Sequence, residues 1–140
     1  MTRGSCWCKK VQYEYDATPI HKVQCHCVTC QKISGAAFTV NVMVPKSAVK
    51  ITQGEGDLKN YTQQHILGKP LTVYFCGTCS SNIWKNLHTE ETEDLWVIQT
   101  GTLDGENGEL GADVEVPARE GFPGDRAKWL PQVPGLTTIP

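Results

Sequence analysis

The sequence predicts a mainly β fold of short antiparallel strands with few, short helices, tied together through its cysteines. Three observations predict this. β-Branched and aromatic residues recur in short alternating runs, while no segment shows the 3.6-residue apolar period of a long amphipathic helix. Eight prolines and thirteen glycines among 140 residues interrupt the chain at close intervals. Seven cysteines fall into three tight clusters and none is solitary.

The elements follow in order. "KKVQYEYDA", residues 9–17, alternates Val11, Tyr13 and Tyr15 with polar neighbours, the pattern of a half-buried strand. "HKVQCHC" reads as a strand or strand end. "QKISGAA" is a short helical piece or turn broken by Gly35. "FTVNVMVP", residues 38–45, is a β-branched strand that stops at Pro45. "AVKITQG", residues 48–54, alternates again. "DLKNYTQQ" and "PLTVYFC" are two further strands joined by a turn at Gly68, Lys69 and Pro70. "SNIWKNLH" extends that hairpin, and "DLWVIQTGTLDG", residues 94–105, forms another strand that ends in a Gly-rich turn. Residues 106–140 are rich in turn formers and predict an ordered tail with one short strand that wraps the core. The length suits a single domain, 1–140, and is enough to bury a core.

Charge and composition exclude several functions. The net charge is −2, with Lys and Arg dispersed along the chain. Neither a nucleic-acid footprint nor a basic surface for anionic membrane is present. No apolar run reaches the length of a membrane span, and "MTRGSCWCKK" lacks the apolar core of a secretory signal. The expected location is the reducing cytoplasm, where clustered cysteines serve as metal ligands rather than as disulfides.

The cysteine spacing points to zinc. Cys76-Gly77-Thr78-Cys79 has the two-residue gap of a zinc knuckle. With Cys6 and Cys8 it completes four thiolates, a closed structural site stapling the N-terminal segment to a distant hairpin. Cys25, Cys27 and Cys30 remain. Three protein ligands with a free fourth position mark a catalytic zinc. His26 is the competing fourth ligand. In an extended segment Cys25 and Cys27 share one face and His26 the other, so His26 is read instead as a packing residue or a partner of the ligands.

The order C-x-C, C-x-C-x-x-C, F-C-x-x-C and G-T-L-D, residues 4–105, resembles the glutathione-dependent formaldehyde-activating family, whose superfamily includes centromere protein V. "RAKWLPQVPGL" is a weaker echo in the tail. The resemblance implies a β-tent of stacked antiparallel sheets and two zinc ions per chain. The structural ion would be held by Cys6, Cys8, Cys76 and Cys79, and the catalytic ion by Cys25, Cys27 and Cys30. It also implies carbon–sulfur lyase activity on an adduct of glutathione. Two departures stand out. The family usually has glycine after the second knuckle cysteine, whereas Ser80 stands here, and serine fits only where the backbone does not need positive φ. The family often carries a histidine near the last strand, where this chain reads "ADVEVPARE".

An open three-thiolate zinc is a mild Lewis acid suited to a fourth sulfur. A thiol held there loses its proton and becomes a nucleophile toward an aldehyde or other electrophilic co-substrate. Candidates for proton transfer are His26, His65, His88 and Asp104, with His26 favoured by its place among the ligands. Asp104 reads first as a turn cap. Lys32 and Ser34 could bind a carboxylate of a peptide-like thiol or simply face solvent. Phe38, Trp84 and Trp96 suit a core as well as a pocket wall. The alternative to an enzyme is a non-catalytic binding module in which both zinc sites are structural.

Overall fold

The computed structural model describes residues 1–139. In chain order the elements are β1 (Thr2–Ser5), β2 (Gln12–Tyr15), β3 (His21–Cys25), α1 (Val28–Ser34), β4 (Thr39–Pro45), β5 (Val49–Gln53), β6 (Leu58–Gln64) and β7 (Pro70–Cys76). They continue with β8 (Asn82–Leu87), β9 (Leu95–Gln99), β10 (Leu103–Asp104), α2 (Gly111–Val114), β11 (Arg119–Gly121) and β12 (Thr137–Thr138). Among the described residues they build a four-stranded sheet, β10-β1-β2-β5, and an eight-stranded sheet, β12-β11-β3-β4-β9-β8-β7-β6. The fold is mainly β with antiparallel sheets, as the alternating runs imply. No helix among the described residues is long and apolar enough to cross a membrane.

Where the structure differs from the sequence pattern, each difference has a physical reason. β1 lies in "TRGS", which shows no apolar alternation. The expected strand 94–105 is divided: β9 ends at Gln99, Thr100–Thr102 form a 3-10 turn, and β10 pairs with β1 in the other sheet. The tail holds two short strands rather than one, and both extend the large sheet in parallel, β11 on β3 and β12 on β11. Parallel neighbours need a long crossover, and residues 26–118 lie between β3 and β11 and residues 122–136 between β11 and β12. The helical piece does end at Gly35, which adopts φ 66°.

The period of two along each strand gives the large sheet two distinct faces. One row runs Val42–Ile98–Trp84 across β4, β9 and β8. It packs against Tyr13 and Tyr15 of the small sheet in the main core. Trp84 meets Tyr13 edge-on at 5.2 Å and stacks on Trp96 at 5.1 Å. Such aromatic pairs contribute about 0.5–1.5 kcal/mol beyond their buried area. The adjacent row, Met43–Val97–Lys85, occupies the opposite face, together with Val23 of β3 and the Leu71–Leu87 pair of β7 and β8. That second face floors a cavity.

Candidate metal centre

The first thiol cluster joins the two sheets. Cys6 leaves β1, Cys76 ends β7, and Cys8 and Cys79 follow in the turns beyond. The four sulfurs lie within 4.8 Å of one another. Cys6 Sγ stands 3.6 Å from Cys8 Sγ, which stands 3.7 Å from Cys76 Sγ. A tetrahedron with Zn–S bonds of about 2.3 Å has edges of about 3.8 Å, whereas a disulfide bond is about 2.05 Å long. All seven cysteines are free thiols. Backbone N–H groups of Val11 and Thr78 donate to Cys6 Sγ at 3.3 Å and Cys76 Sγ at 3.4 Å, orienting both sulfurs. The donor set and its spacing fit a tetrahedrally held soft ion such as zinc.

The second cluster is local. Cys25 is the last residue of β3, Cys27 caps α1, and Cys30 lies in the helix's first turn. Cys30 N donates to Cys27 Sγ at 3.3 Å. The three sulfurs lie within 4.8 Å of one another and form a group without a fourth His, Cys, Asp or Glu donor among the described residues. This set likewise suits a soft ion, with one coordination position left over.

Two groups stand beside the trio: His65, one of the proton-transfer candidates named from the sequence, and Lys85, which was not among them. Lys85 is only 5% exposed, and its Nζ donates to Cys30 Sγ at 3.4 Å. No carboxylate among the described residues lies within salt-bridge distance of it. Donation by the Cys25 and Cys27 thiols lowers the Cys30 thiol, and the charge of Lys85 adds to this against the opposing effect of burial. His65 follows β6 in the hairpin turn, with Nε2 3.9 Å from Cys27 Sγ. Leu67 N donates to His65 Nδ1 at 3.2 Å. A neutral His65 therefore carries its proton on Nε2, facing the trio. Burial lowers the His65 imidazole, opposed by the charge of Cys30 and aided by that of Lys85.

His26 is placed otherwise. It is fully buried, and its Nε2 donates to Glu120 Oε1 at 2.9 Å, while Arg126 Nε donates to the same oxygen at 2.6 Å. Its ring meets Phe38 edge-on at 5.8 Å. His26 thus ties β3 to β11, away from the trio's open side. His88 bonds Thr72 and Glu93. Asp104 accepts from Ser5 Oγ and Lys9 Nζ beside the first cluster. Ser34 Oγ donates back to Cys30 O within α1. Lys32 is exposed and borders a neighbouring groove rather than the space beside the trio. Trp84 and Trp96 belong to the core packing rather than to the cavity wall.

The trio opens onto a cavity of about 400 Å³. The outer face of the large sheet is its floor. His65 and Leu67 of the β6–β7 turn and Phe122, Pro123 and Ile139 of the tail line its walls, and the Phe122 ring meets the His65 ring edge-on at 6.5 Å. Phe122 holds φ 51°, uncommon for a residue with a side chain.

Comparison with known proteins gives a concordant picture. The family model described as "Glutathione-dependent formaldehyde-activating enzyme" matches residues 1–118, a stretch that contains all seven cysteines. No curated protein matches the chain. A crystal structure of a Rhodobacter sphaeroides protein superposes with a TM-score of 0.58 at 18% identity, covering 77% of this chain and 96% of that one. At that identity the likeness is one of fold.

Proposed function

The chain belongs to the glutathione-dependent formaldehyde-activating family, and from that membership we propose that it is a zinc-dependent carbon–sulfur lyase. It would form or cleave an adduct between glutathione, or a similar thiol, and an aldehyde or other small electrophile. Cys6, Cys8, Cys76 and Cys79 would hold a structural zinc, and Cys25, Cys27 and Cys30 a catalytic one. Free thiols at these spacings suit a reducing compartment such as the cytoplasm. The observation that carries the reading is the trio itself: three thiols within bonding reach of one ion, facing a cavity. A site serving only as scaffold would be closed by a fourth protein donor.

The ion, when bound, supplies the Lewis acidity that holds a sulfur as thiolate and stabilises it as a leaving group. The side chains do the rest. In the forming direction the thiol sulfur adds to the carbonyl carbon, the π pair moves to oxygen, and the thiol's proton ends on that oxygen. Cleavage reverses each step. His65 Nε2–H is placed to donate a hydrogen bond to the oxygen as its charge grows. The Lys85 ammonium offsets the negative charge that gathers when a further thiolate joins three others. The apolar floor excludes water and strengthens both effects.

Zinc counting tests the assignment. Wild type should bind two ions per chain, and Cys27→Ala one, with its fold intact. X-ray absorption on the two-zinc protein should show an added Zn–S contact near about 2.3 Å when glutathione or another thiol is supplied. An unchanged first shell at saturating thiol would return the domain to the class of binding modules.

A further inference from the structure

Resting on the open-trio reading above, we propose that the substrate held at the trio is a thiol, or its adduct, whose carbon body beside the sulfur is sizeable and apolar rather than a charged peptide or a one-carbon unit. That body, aliphatic or aryl, would lie in the cavity beside the trio, with at most one anionic group directed to Lys85.

The cavity's size and chemistry carry this. At about 30 Å³ for each water-sized group, 400 Å³ accepts about a dozen non-hydrogen atoms. A hydroxymethyl group would leave most of it unfilled. Met43, Leu87 and Val97 line the floor and Phe122 the side. The polar atoms of Asn41, which also lines it, are already engaged. Its Nδ2 donates to Thr39 Oγ1 at 2.9 Å, and its Oδ1 accepts from Gln99 at 2.8 Å. Lys85 is the sole cationic side chain in the lining among the described residues, and no carboxylate lines it. Glutathione carries two carboxylates and an ammonium. Enclosing these against hydrocarbon without partners would cost several kcal/mol. An apolar body placed there instead gains the free energy of leaving water. The floor is also the outward face of the large sheet, a position that an antiparallel sheet ordinarily fills with polar residues when it faces solvent.

The tail supports the same conclusion. Phe122, Pro123 and Ile139 lie beyond residue 118, where the family match ends. Part of the wall that shapes the cavity therefore comes from a segment outside the matched region. Phe122 holds its left-handed backbone at that wall, the kind of strain that collects where a side chain must be aimed at a ligand.

Calorimetric titration of the two-zinc protein tests this, with ethanethiol, butanethiol, hexanethiol, 4-phenylbutane-1-thiol and glutathione as probes. X-ray absorption would report whether each adds a metal–sulfur contact. Affinity should rise about three- to fourfold per added methylene along the alkanethiols. 4-Phenylbutane-1-thiol should bind at least about tenfold tighter than glutathione. Met43→Gln should flatten the series, and Phe122→Ala should shorten it, so the test survives if one variant fails to fold. A flat series with glutathione binding tightest would overturn the apolar substrate while leaving the open trio standing. If no thiol adds a metal–sulfur contact, the open trio falls, and this inference falls with it.

Discussion

Ser80 shows how one residue can carry a cost that the sequence only hints at. It follows the knuckle cysteines with φ 65°, so the condition under which serine replaces glycine harmlessly is not met. Left-handed backbone costs an ordinary L-residue roughly 1–2 kcal/mol, and glycine's greater unfolded-state freedom returns part of that. Ser80→Gly should therefore stabilise the zinc-loaded protein by about 0.5–1 kcal/mol in denaturant unfolding. If it destabilises, the bond from Ser80 Oγ to Cys79 O outweighs the strain. Lys85 is the second such residue. A lysine directly after the apolar pair Ile83-Trp84 was a readable signal of something unusual, but its direction was not, because a bulge beside Ile83 puts Ile83 and Trp84 both in the core and Lys85 on the opposite face. Lys85→Met keeps the stem's volume and removes a buried charge, so the fold should persist. Thiol affinity should fall about tenfold, and Lys85→Arg should recover part of it. Undiminished affinity in Lys85→Met would remove the ammonium from the mechanism. The histidines teach a different lesson. Adjacency to Cys25 and Cys27 drew attention to His26, yet the strand's alternation directs it to Glu120. His65, 38 residues from Cys27, arrives beside the trio through the β6–β7 turn, a placement invisible in local spacing.

At the level of elements, alternation was legible wherever apolar side chains repeat, and silent wherever backbone proximity matters more. β1 is the clearest instance. A Cβ on Gly4 would fall 2.3 Å from the Tyr13 ring, so glycine lets β1 lie across that aromatic side chain. The property that makes the strand possible also removes its pattern. β11 is hidden differently, being three residues long between Pro117 and Pro123. Its anchor is Glu120, whose carboxyl is held below the usual range, first by the Arg126 hydrogen bond, against burial. A depressed carboxyl stabilises the fold above its unfolded value of 4.5 and loses that contribution as pH falls through the native value. Glu120→Gln should accordingly lower the melting temperature by an amount that is constant from about pH 8 to about pH 5.5, a window above both values. Thermal scans of wild type and variant at matched pH would show this. A difference that shrinks within the window would place another titrating group in the contact.

For the whole molecule, the two thiol clusters differ in what they span. The trio lies within one short segment, residues 25–30, and closes almost no chain. The tetrad joins β1 of the small sheet to β7 of the large one, and Cys8 and Cys76 are 68 residues apart. The sequence spacing already separated these two groups of thiols. It could not reveal the cavity, whose lining is gathered from residues as distant as Val23 and Ile139 and emerges only when the sheet has formed and the tail has crossed it. The difference in span sets the response to metal loss. Structural zinc contributes about 10–16 kcal/mol of apparent binding free energy in small metal-folded peptides. A typical domain has about 5–15 kcal/mol of net stability. Losing the tetrad's ion should therefore unfold the chain, and losing the trio's ion should not. Cys76→Ala should be insoluble or show no cooperative melting, while Cys27→Ala should melt within a few degrees of wild type. Graded chelation should remove one ion with the circular dichroism unchanged before a second loss abolishes it. A soluble, cooperatively melting Cys76→Ala protein would show that the core between the sheets stands without its metal staple.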